Sequence, residues 1–319
     1  MTVFTGTGAM LQFGKETTFA EAASPTNLID LTSESIKVEV EKGDEGSLLA
    51  SKTPMRKDLL GISVEGSITF ILKPETAGLL FHAVMGSSDN CTQIESTERH
   101  KHTFTLCEAN ESLPSLTIVI DRKAAIKKYP GCTISSLSLD CAAGDYVKGS
   151  IELKGTKEEV GTLNPTLKNF TIPSYRCTSA TFLIADETFD ISNASLKIDN
   201  SLEVVPKTYS SGLFSGKPLH GKRSVTISFE IPYSSKIEQL KDIYLLSETN
   251  ASILLTFTSS NPDYSIEISL PNVSISNVDA NVNGSGILTS NVEGEALSVL
   301  EQEPITVTIT DKTSTPYGG

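Results

Sequence analysis

The chain has 319 residues, enough for two domains of ordinary size that each bury a core. Its net charge of −13 is shared by residues 1–160 and 161–319, so neither half has the basic composition typical of proteins that grip nucleic acid phosphates. Only 38% of the residues are hydrophobic and none is tryptophan, which favours strands with one wet face over a helical protein.

Residues 1–30 contain Gly6, Gly8 and Gly14 and a run of small residues, and they predict an extended arm with little core of its own. Residues 35–41 (SIKVEVE) then alternate strictly between apolar and charged side chains, which predicts a half-buried strand. The connection that follows, residues 42–60, is too long for an ordinary hairpin loop, and loops of that length are usually functional.

The next stretch, residues 61–86, reads GISVEGSITFILKPETAGLLFHAVMG. Its first part alternates as a strand does, and Pro74 and Glu75 suit the first turn of a helix. Leu79, Leu80, Ala83 and Val84 make one apolar stripe, and a glycine ends the pattern. The stretch therefore predicts a long strand that runs directly into a short amphipathic helix.

The same unit recurs at residues 221–246, which read GKRSVTISFEIPYSSKIEQLKDIYLL. Ser235 and Glu238 predict a capping box for the second helix. The two units lie about 160 residues apart, half the chain, which indicates an internal duplication. The spacing falls to about 141 residues for the later strands, as expected if the first copy carries an insertion after its helix.

A boundary between the copies is expected within residues 156–168, which lack periodicity and contain glycine and proline. We predict four parts: an N-terminal arm (1–30), a first β domain (31–160), a second β domain (161–300) and a C-terminal arm (301–319) built on one last strand. The fold class is mainly β, with two tandem antiparallel β-sandwich or barrel domains, each with one flanking α-helix.

The sequence contains no recognisable catalytic or metal-binding pattern. Motifs for nucleophilic serine, nucleotide phosphates or zinc are absent, and the four histidines lack partners of ligand type in sequence. Five cysteines without CxxC spacing favour neither a disulfide framework nor a zinc site. We expect no enzyme and no cofactor. Because no signal peptide and no apolar run of roughly 18 residues is visible, we also expect cytoplasmic synthesis without membrane insertion.

The segment LQFGKETTF (residues 11–19), the long-looped hairpin and the strand–proline–helix–glycine unit together resemble the tail tube proteins of long-tailed bacteriophages. The resemblance is best over residues 6–86 and looser in the second copy. It implies a β-sandwich with a flanking helix that closes into rings, and rings that stack head to tail through the long loop and the terminal arms. It also implies an acidic bore that carries the phage DNA and no catalytic residue.

The duplication departs from the single-domain members of that family, which form sixfold rings. Two domains in one chain predict a trimeric, pseudo-hexameric ring, unless only the first half lines the tube and the second decorates its outside. The implied partners are other copies of the chain, the tape measure protein and DNA inside the lumen, and the tail terminator and distal tail proteins at the ends. The implied location is the virion tail, assembled in the host cytoplasm.

Two sets of residues are candidates for this function. Acidic residues expected to face the lumen are Glu39, Glu41, Asp44, Glu45, Glu65, Asp199, Glu203 and Glu230. Residues expected in inter-ring loops are Lys52, Pro54, Arg56, Lys57, Pro206, Phe214 and Lys217. Reversing Glu39 and Glu41 to lysine is expected to slow DNA ejection while leaving tubes intact.

Two other classes fit parts of the sequence. A pair of β-sandwiches could serve as a binding or adhesion module, which would carry an export signal and remain a stable monomer. A glycan-active enzyme would need paired carboxylates in a cleft and aromatic platforms, and the absence of tryptophan argues against it.

Overall fold

The computed structural model describes residues 4–44, 53, 56–87, 90–209, 211–247, 249–280, 287–299 and 302–317. The elements of the first half are β1 (Met10–Lys15), β2 (Asn27–Glu34), β3 (Lys37–Gly43), β4 (Asp58–Ile71), α1 (Pro74–Met85), β5 (Asn90–Gln93), β6 (His100–Thr105), β7 (Leu116–Asp121), β8 (Ile126–Ala142), β9 (Lys148–Gly155) and β10 (Glu159–Val160). Those of the second half are β11 (Tyr175–Ile184), β12 (Glu187–Thr188), β13 (Asn193–Asp199), β14 (Ser224–Pro232), α2 (Ser235–Leu240) with a π-helical turn (Lys241–Leu245), β15 (Ala251–Ser259), β16 (Ser265–Ala280), β17 (Thr289–Ala296) and β18 (Thr306–Asp311).

One antiparallel sheet contains strands from both halves, in the order β3–β4–β9–β8–β13–β14–β17–β16. We call it the shared sheet. Its strands alternate apolar and polar residues, so one of its faces is buried and the other is wet. The chain is therefore a mainly-β protein, as predicted.

Two outer sheets cover the apolar face, one over each half, and the second of them includes the hairpin β5–β6 of the first half. The first is ordered β2–β1–β7–β8–β10 and the second β12–β11–β15–β16–β18–β6–β5. The long strands β8 and β16 belong to both layers, and each has a register shift where it enters the shared sheet, at Ile134/Ser136 and at Ile275/Asn277. Such shifts bend a strand, which here closes each half into a sandwich.

The two halves have the same strand order, from β1 to β10 and from β11 to β18. The exception is the hairpin β5–β6, which follows the first helix and has no counterpart in the second half, as the change in spacing predicts. The division into two domains stays a prediction. Hydrogen-bonded pairs β8–β13 and β18–β6 cross it, and one cluster of buried apolar side chains includes residues of both halves.

The two terminal segments are core strands where an extended arm was expected. Within residues 1–30, β1 pairs with both β2 and β7, and Leu11 and Phe13 are 0% and 1% exposed. Gly14 lies so close to the Ser24 carbonyl that a Cβ would not fit, so this glycine serves close packing rather than flexibility. Within residues 301–319, β18 lies between β16 and β6, and Val307 and Ile309 are fully buried.

The first helix is also more deeply placed than a flanking helix would be. All of α1 except Glu75 is buried, against β8 and β2 of the first sandwich and against β6 and β18. In α2 only Ile237 and Leu240 are buried. The expected capping box of α2 is wrong, because Ser234 is its N-cap residue and Glu238 accepts the hydrogen bond of the Tyr233 hydroxyl.

Candidate functional site: the polar face of the shared sheet

The register of the shared sheet aligns its polar residues in rows. One row runs from Thr69 of β4 through Ser150, Ser138 and Lys197 to Thr226 of β14 and on to the second half's last strands. Directly opposite residues of neighbouring strands lie on the same face. The polar residues of all eight strands therefore form one continuous surface, which we call the polar face.

Acidic residues predominate on the polar face. Its described carboxylates are Glu39, Glu41, Glu65, Asp140, Glu152, Asp199, Glu230, Asp279, Glu293 and Glu295. Its lysines are Lys37, Lys148, Lys154 and Lys197. Both halves contribute carboxylates, so the negative charge extends across the junction between them.

Five of the eight predicted acidic residues are on this face, namely Glu39, Glu41, Glu65, Asp199 and Glu230. Asp44 is exposed just after β3, and Glu203 pairs with Leu219 at the base of the second long loop, outside the strands. Glu45 lies outside the described residues. Whether any of them faces a lumen stays a prediction.

Sequence reasoning missed the other half of the acidic residues of this face: Asp140, Glu152, Asp279, Glu293 and Glu295. The signal was present, because the stretches GSIELKG and SNVEGEA alternate as strands and match one another as copies. Extending the alternation argument from β3 and β4 to β9 and β17 would have found Glu152, Glu293 and Glu295.

Local hydrogen bonds keep part of this charge ionised. The Asn193 Nδ2 donates to Glu230 Oε2 at 2.8 Å, and this bond and others hold the pKa of Glu230 below its usual range. Burial raises the pKa of Asp199, but hydrogen bonds from the Ser201 N–H (2.8 Å) and from Lys197 outweigh it, so the net shift is downward. These carboxylates stay charged well below neutral pH.

The polar face is concave near the junction of the halves. A cleft of about 620 Å³ there is lined by residues of six strands and one turn, including Asp140, Lys148, Asn193, Glu230 and Asp279. Polar and charged side chains dominate the lining, in contrast to the mostly apolar pockets that hold small organic ligands. The cleft is therefore a curved part of the charged surface of the shared sheet.

The second long loop (residues 203–219) lies against β3 and β4 at one end of this sheet. The Ile62 N–H of β4 donates to the Leu213 carbonyl of the second loop at 3.0 Å, and Lys207 forms an ion pair with Glu41 of β3. The segments on both sides of this contact carry exposed apolar side chains, which are Leu59 and Leu60 at the start of β4 and Val204, Tyr209 and Leu219 in the loop. Apolar groups exposed together mark an interaction surface.

The predicted inter-ring residues fall into three groups. Arg56, Lys57 and Pro206 are exposed, and Arg56 is paired with Asp58 at 2.7 Å. Phe214 is half-buried beside Ile62, and the Lys217 Nζ donates to the Ser112 hydroxyl at 3.0 Å, so both have contacts within the chain. Lys52 and Pro54 lie outside the described residues.

Within the described part of the chain, no group of three or more histidine, cysteine, aspartate and glutamate side chains is placed to hold a metal ion. No described helix is both long and apolar enough to cross a membrane. What the geometry does provide is an extended, charged β surface shared by two similar sandwiches, which is the architecture of a structural protein.

The family assignment agrees with that class. The model of the phage tail tube protein family matches residues 6–309, so a single match covers both halves. The chain belongs to the phage tail tube protein family. It is a structural protein of the phage tail that assembles with itself into a tube. No curated protein matches the chain.

Proposed function

We propose that the chain polymerises into stacked rings whose inner wall is the shared sheet, with the polar face lining the bore. The observation that carries this proposal is the continuity of the polar face across β8 and β13, which gives one uninterrupted acidic surface from both halves. The open edges of such a sheet are prone to aggregation unless strands of other copies pair with them in one defined arrangement.

The ring contains three chains and is pseudo-hexameric. Each chain supplies two equivalent sets of four strands, β3–β4–β9–β8 and β13–β14–β17–β16, so three chains supply the six sets of a sixfold wall. The rival arrangement has the second half outside the tube. The pairing of Lys197 in β13 with Ser138 in β8 argues against this rival, because it places the polar residues of both halves on the same side of one sheet.

The bore acts as a passive conduit for DNA ejection. Carboxylates on the polar face repel the phosphates, so DNA does not gain the counterion-release free energy that holds it in basic grooves. The few lysines of this face have carboxylates beside them, as in the Lys197–Asp199 pair at 3.2 Å. The same bore accommodates the tape measure protein before DNA enters.

Stacking uses the loop end of the sheet. Residues 203–219 lie against β3 and β4 there, and the exposed Leu60, Tyr209 and Leu219 would be buried by a neighbouring ring. The tail terminator and distal tail proteins would contact the two ends of the finished tube. Assembly takes place in the host cytoplasm, which suits a chain whose five cysteines form no disulfide.

A charge reversal in the bore tests the function. Glu152 and Glu293 occupy equivalent positions of β9 and β17, are exposed, and lie away from the open edges of the sheet. In phage with Glu152→Lys and Glu293→Lys, we expect hollow tubes of normal diameter by electron microscopy and DNA ejection slowed at least several-fold, with the slowing reduced by salt.

The matched control changes net charge equally on the outer layers, with Glu21→Lys and Glu267→Lys, which are exposed and far from the polar face. Ejection should be unchanged in this control. Equal ejection rates in both variants would remove the polar face from the bore, and a chain that never forms hollow tubes would contradict the proposed function as a whole.

A further inference from the structure

The pairing of β8 with β13, which we call the internal junction, joins the two halves within one chain. Its register indicates how the outer edges of the sheet can pair with another copy. At the internal junction Lys197 lies opposite Ser138, Ile198 opposite Leu137 and Asp199 opposite Ser136, in an antiparallel ladder. The Asn200 N–H donates to the Ser135 carbonyl at 2.8 Å, which extends the ladder by one further residue. Strand β8 belongs to the first half and β13 to the second, and the two are held side by side because both halves are parts of one chain.

Equivalents of these two strands are at the open edges of the shared sheet. The pairing with β4 and β14 makes Lys37 the counterpart of Lys197, since each lies opposite the equivalent residue, Glu65 or Thr226. The pairing with β9 and β17 makes Asn277 the counterpart of Ser136, since these lie opposite Glu152 and Glu293.

Both counterparts lack a strand on one side. In the described residues β3 pairs with β4 alone, and residues 274–280 of β16 pair with β17 alone. A free edge of this kind exposes unpaired backbone donors and acceptors, which is costly unless another strand is added. Each chain therefore contains one complete junction of this type and, at its two edges, the two strands that a second junction needs.

We propose that residues 274–280 of one copy pair with β3 of a second copy in the register of the internal junction. This places Lys37 opposite Asp279, Val38 opposite Val278 and Glu39 opposite Asn277. The proposal rests on the proposed function, because it names the strands that close the ring.

Charge supports this register over its neighbours. Lys37 and Asp279 have opposite charges and would be directly opposite on the polar face, where such pairs stabilise a sheet. A shift by two residues would place Glu39 against Asp279, which is repulsive. A shift by one residue would turn Val38 to the wet face.

Exposed apolar side chains beside the two edges support the same contact. Val40, in the middle of the edge strand β3, is 46% exposed. Ile243 and Leu246, in and just after the π-helical turn that packs against β16, are 50% and 68% exposed. Their counterparts in α1, His82 and Met85, are buried. At the internal junction the equivalent of Val40, Asn200, donates to the Val84 carbonyl of α1 at 3.0 Å, so the helix end does reach across the junction.

Cysteine pairs test the register. The Asn200 N–H bonds the Ser135 carbonyl directly opposite, and pair types alternate along an antiparallel ladder, so Lys197/Ser138 is a non-hydrogen-bonded pair. Lys37/Asp279 is then a pair of the same type. Side chains approach most closely in such pairs, so two cysteines there can form a disulfide. Chains with Lys37→Cys are mixed with chains with Asp279→Cys, assembled, and oxidised mildly. We expect most of the mixed, assembled protein to run as a crosslinked dimer on a non-reducing gel, and neither variant alone to give this dimer band.

Three controls accompany the experiment. Lys197→Cys with Ser138→Cys in one chain should form an intrachain disulfide whether or not tubes assemble, which calibrates the chemistry. Lys37→Cys mixed with Asn277→Cys, shifted by two residues, should crosslink at least five-fold less. Asp279→Lys should raise the concentration needed for assembly several-fold, and Lys37→Asp in the same chain should restore it.

Each outcome decides the inference. Crosslinking at Lys37/Asp279 with rescue by the charge exchange supports it. Tubes that form normally but crosslink better in the shifted pair overturn the register and leave the tube function intact. A wild-type chain that forms no tubes, with no crosslink in the matched pair, overturns both.

Discussion

The two halves of the chain have the same strands in the same order but bury their helices differently. Every residue of α1 except Glu75 is buried, whereas α2 and its π-helical turn bury only Ile237 and Leu240. Elements that have no counterpart near α2 cover α1: the hairpin β5–β6, and the linker residues Thr171 and Ile172, whose N–H groups donate to Glu75. The helix sequences differ in the same direction, because Glu75 is the one aspartate, glutamate, lysine or arginine of α1, whereas α2 and its turn contain Lys236, Glu238, Lys241 and Asp242.

Replacement of the aromatic residue in α1 gives the largest expected effect. Phe81 is fully buried, and Phe81→Ala should lower the free energy of unfolding by about 3–5 kcal/mol. The equivalent residue of the second half is the exposed Asp242, where Asp242→Ala should change it by less than about 0.5 kcal/mol. Urea unfolding of the unassembled chain measures both, and similar losses in the two variants would contradict the difference in burial.

A second effect concerns the contact between α1 and the C-terminal segment. The Tyr317 ring lies against Gly78, where a Cβ has no room, so Gly78→Ala should cost about 1–3 kcal/mol. Gln239, the exposed equivalent in α2, should tolerate alanine without loss. In the double variant with Tyr317→Ala the two costs should be less than additive by more than about 0.5 kcal/mol. Simple additivity in thermal unfolding would place Tyr317 away from α1.

A buried cluster holds β18 in place, whereas its counterpart β10 has only two residues. Asp311 accepts hydrogen bonds from the Tyr317 hydroxyl (2.6 Å) and the Thr313 N–H (2.7 Å), and His102 Nε2 lies 3.2 Å away. Burial raises the pKa of Asp311, but these partners outweigh it and the net shift is downward. A lowered pKa stabilises the fold above the ordinary carboxyl value of about 4, and this contribution is lost as the pH falls through the folded value.

Asp311→Asn should therefore cost about 1–3 kcal/mol at pH 7, and it should remove part of the decline in stability below about pH 5. Urea unfolding between pH 3 and pH 7 measures the slope in both proteins. An unchanged slope in the variant would show that other carboxylates cause the acid sensitivity.

The smallest expected effect is at the contact of the second long loop with β3 and β4. Lys207 pairs with Glu41 in an exposed position, so Lys207→Ala should change stability by less than about 1 kcal/mol. The backbone hydrogen bond from Ile62 to Leu213 should keep the loop on β4. Hydrogen exchange at the Ile62 amide checks this, and loss of its protection in the variant would assign the contact to the ion pair.

Local sequence patterns predicted most of the strands but not how the strands outside the shared sheet pack around it. Alternation in β3, β4, β13 and β14 is a property of adjacent residues, so it predicted the strands, the duplication and five acidic residues of the polar face. The depth of α1 and the place of β1 and β18 depend on contacts between distant parts of the chain. His102 and Asp311, for instance, come together from different halves of the sequence with no local signal.

The proposed tube uses both halves of each chain as wall units. Electron cryomicroscopy of the assembled tube, viewed along its axis and calibrated by the mass of one ring, is the decisive experiment. We expect three chains per ring, six similar wall units and a bore lined by both halves. Six whole chains per ring, with the second half projecting outside a wall made from the first half alone, would contradict it.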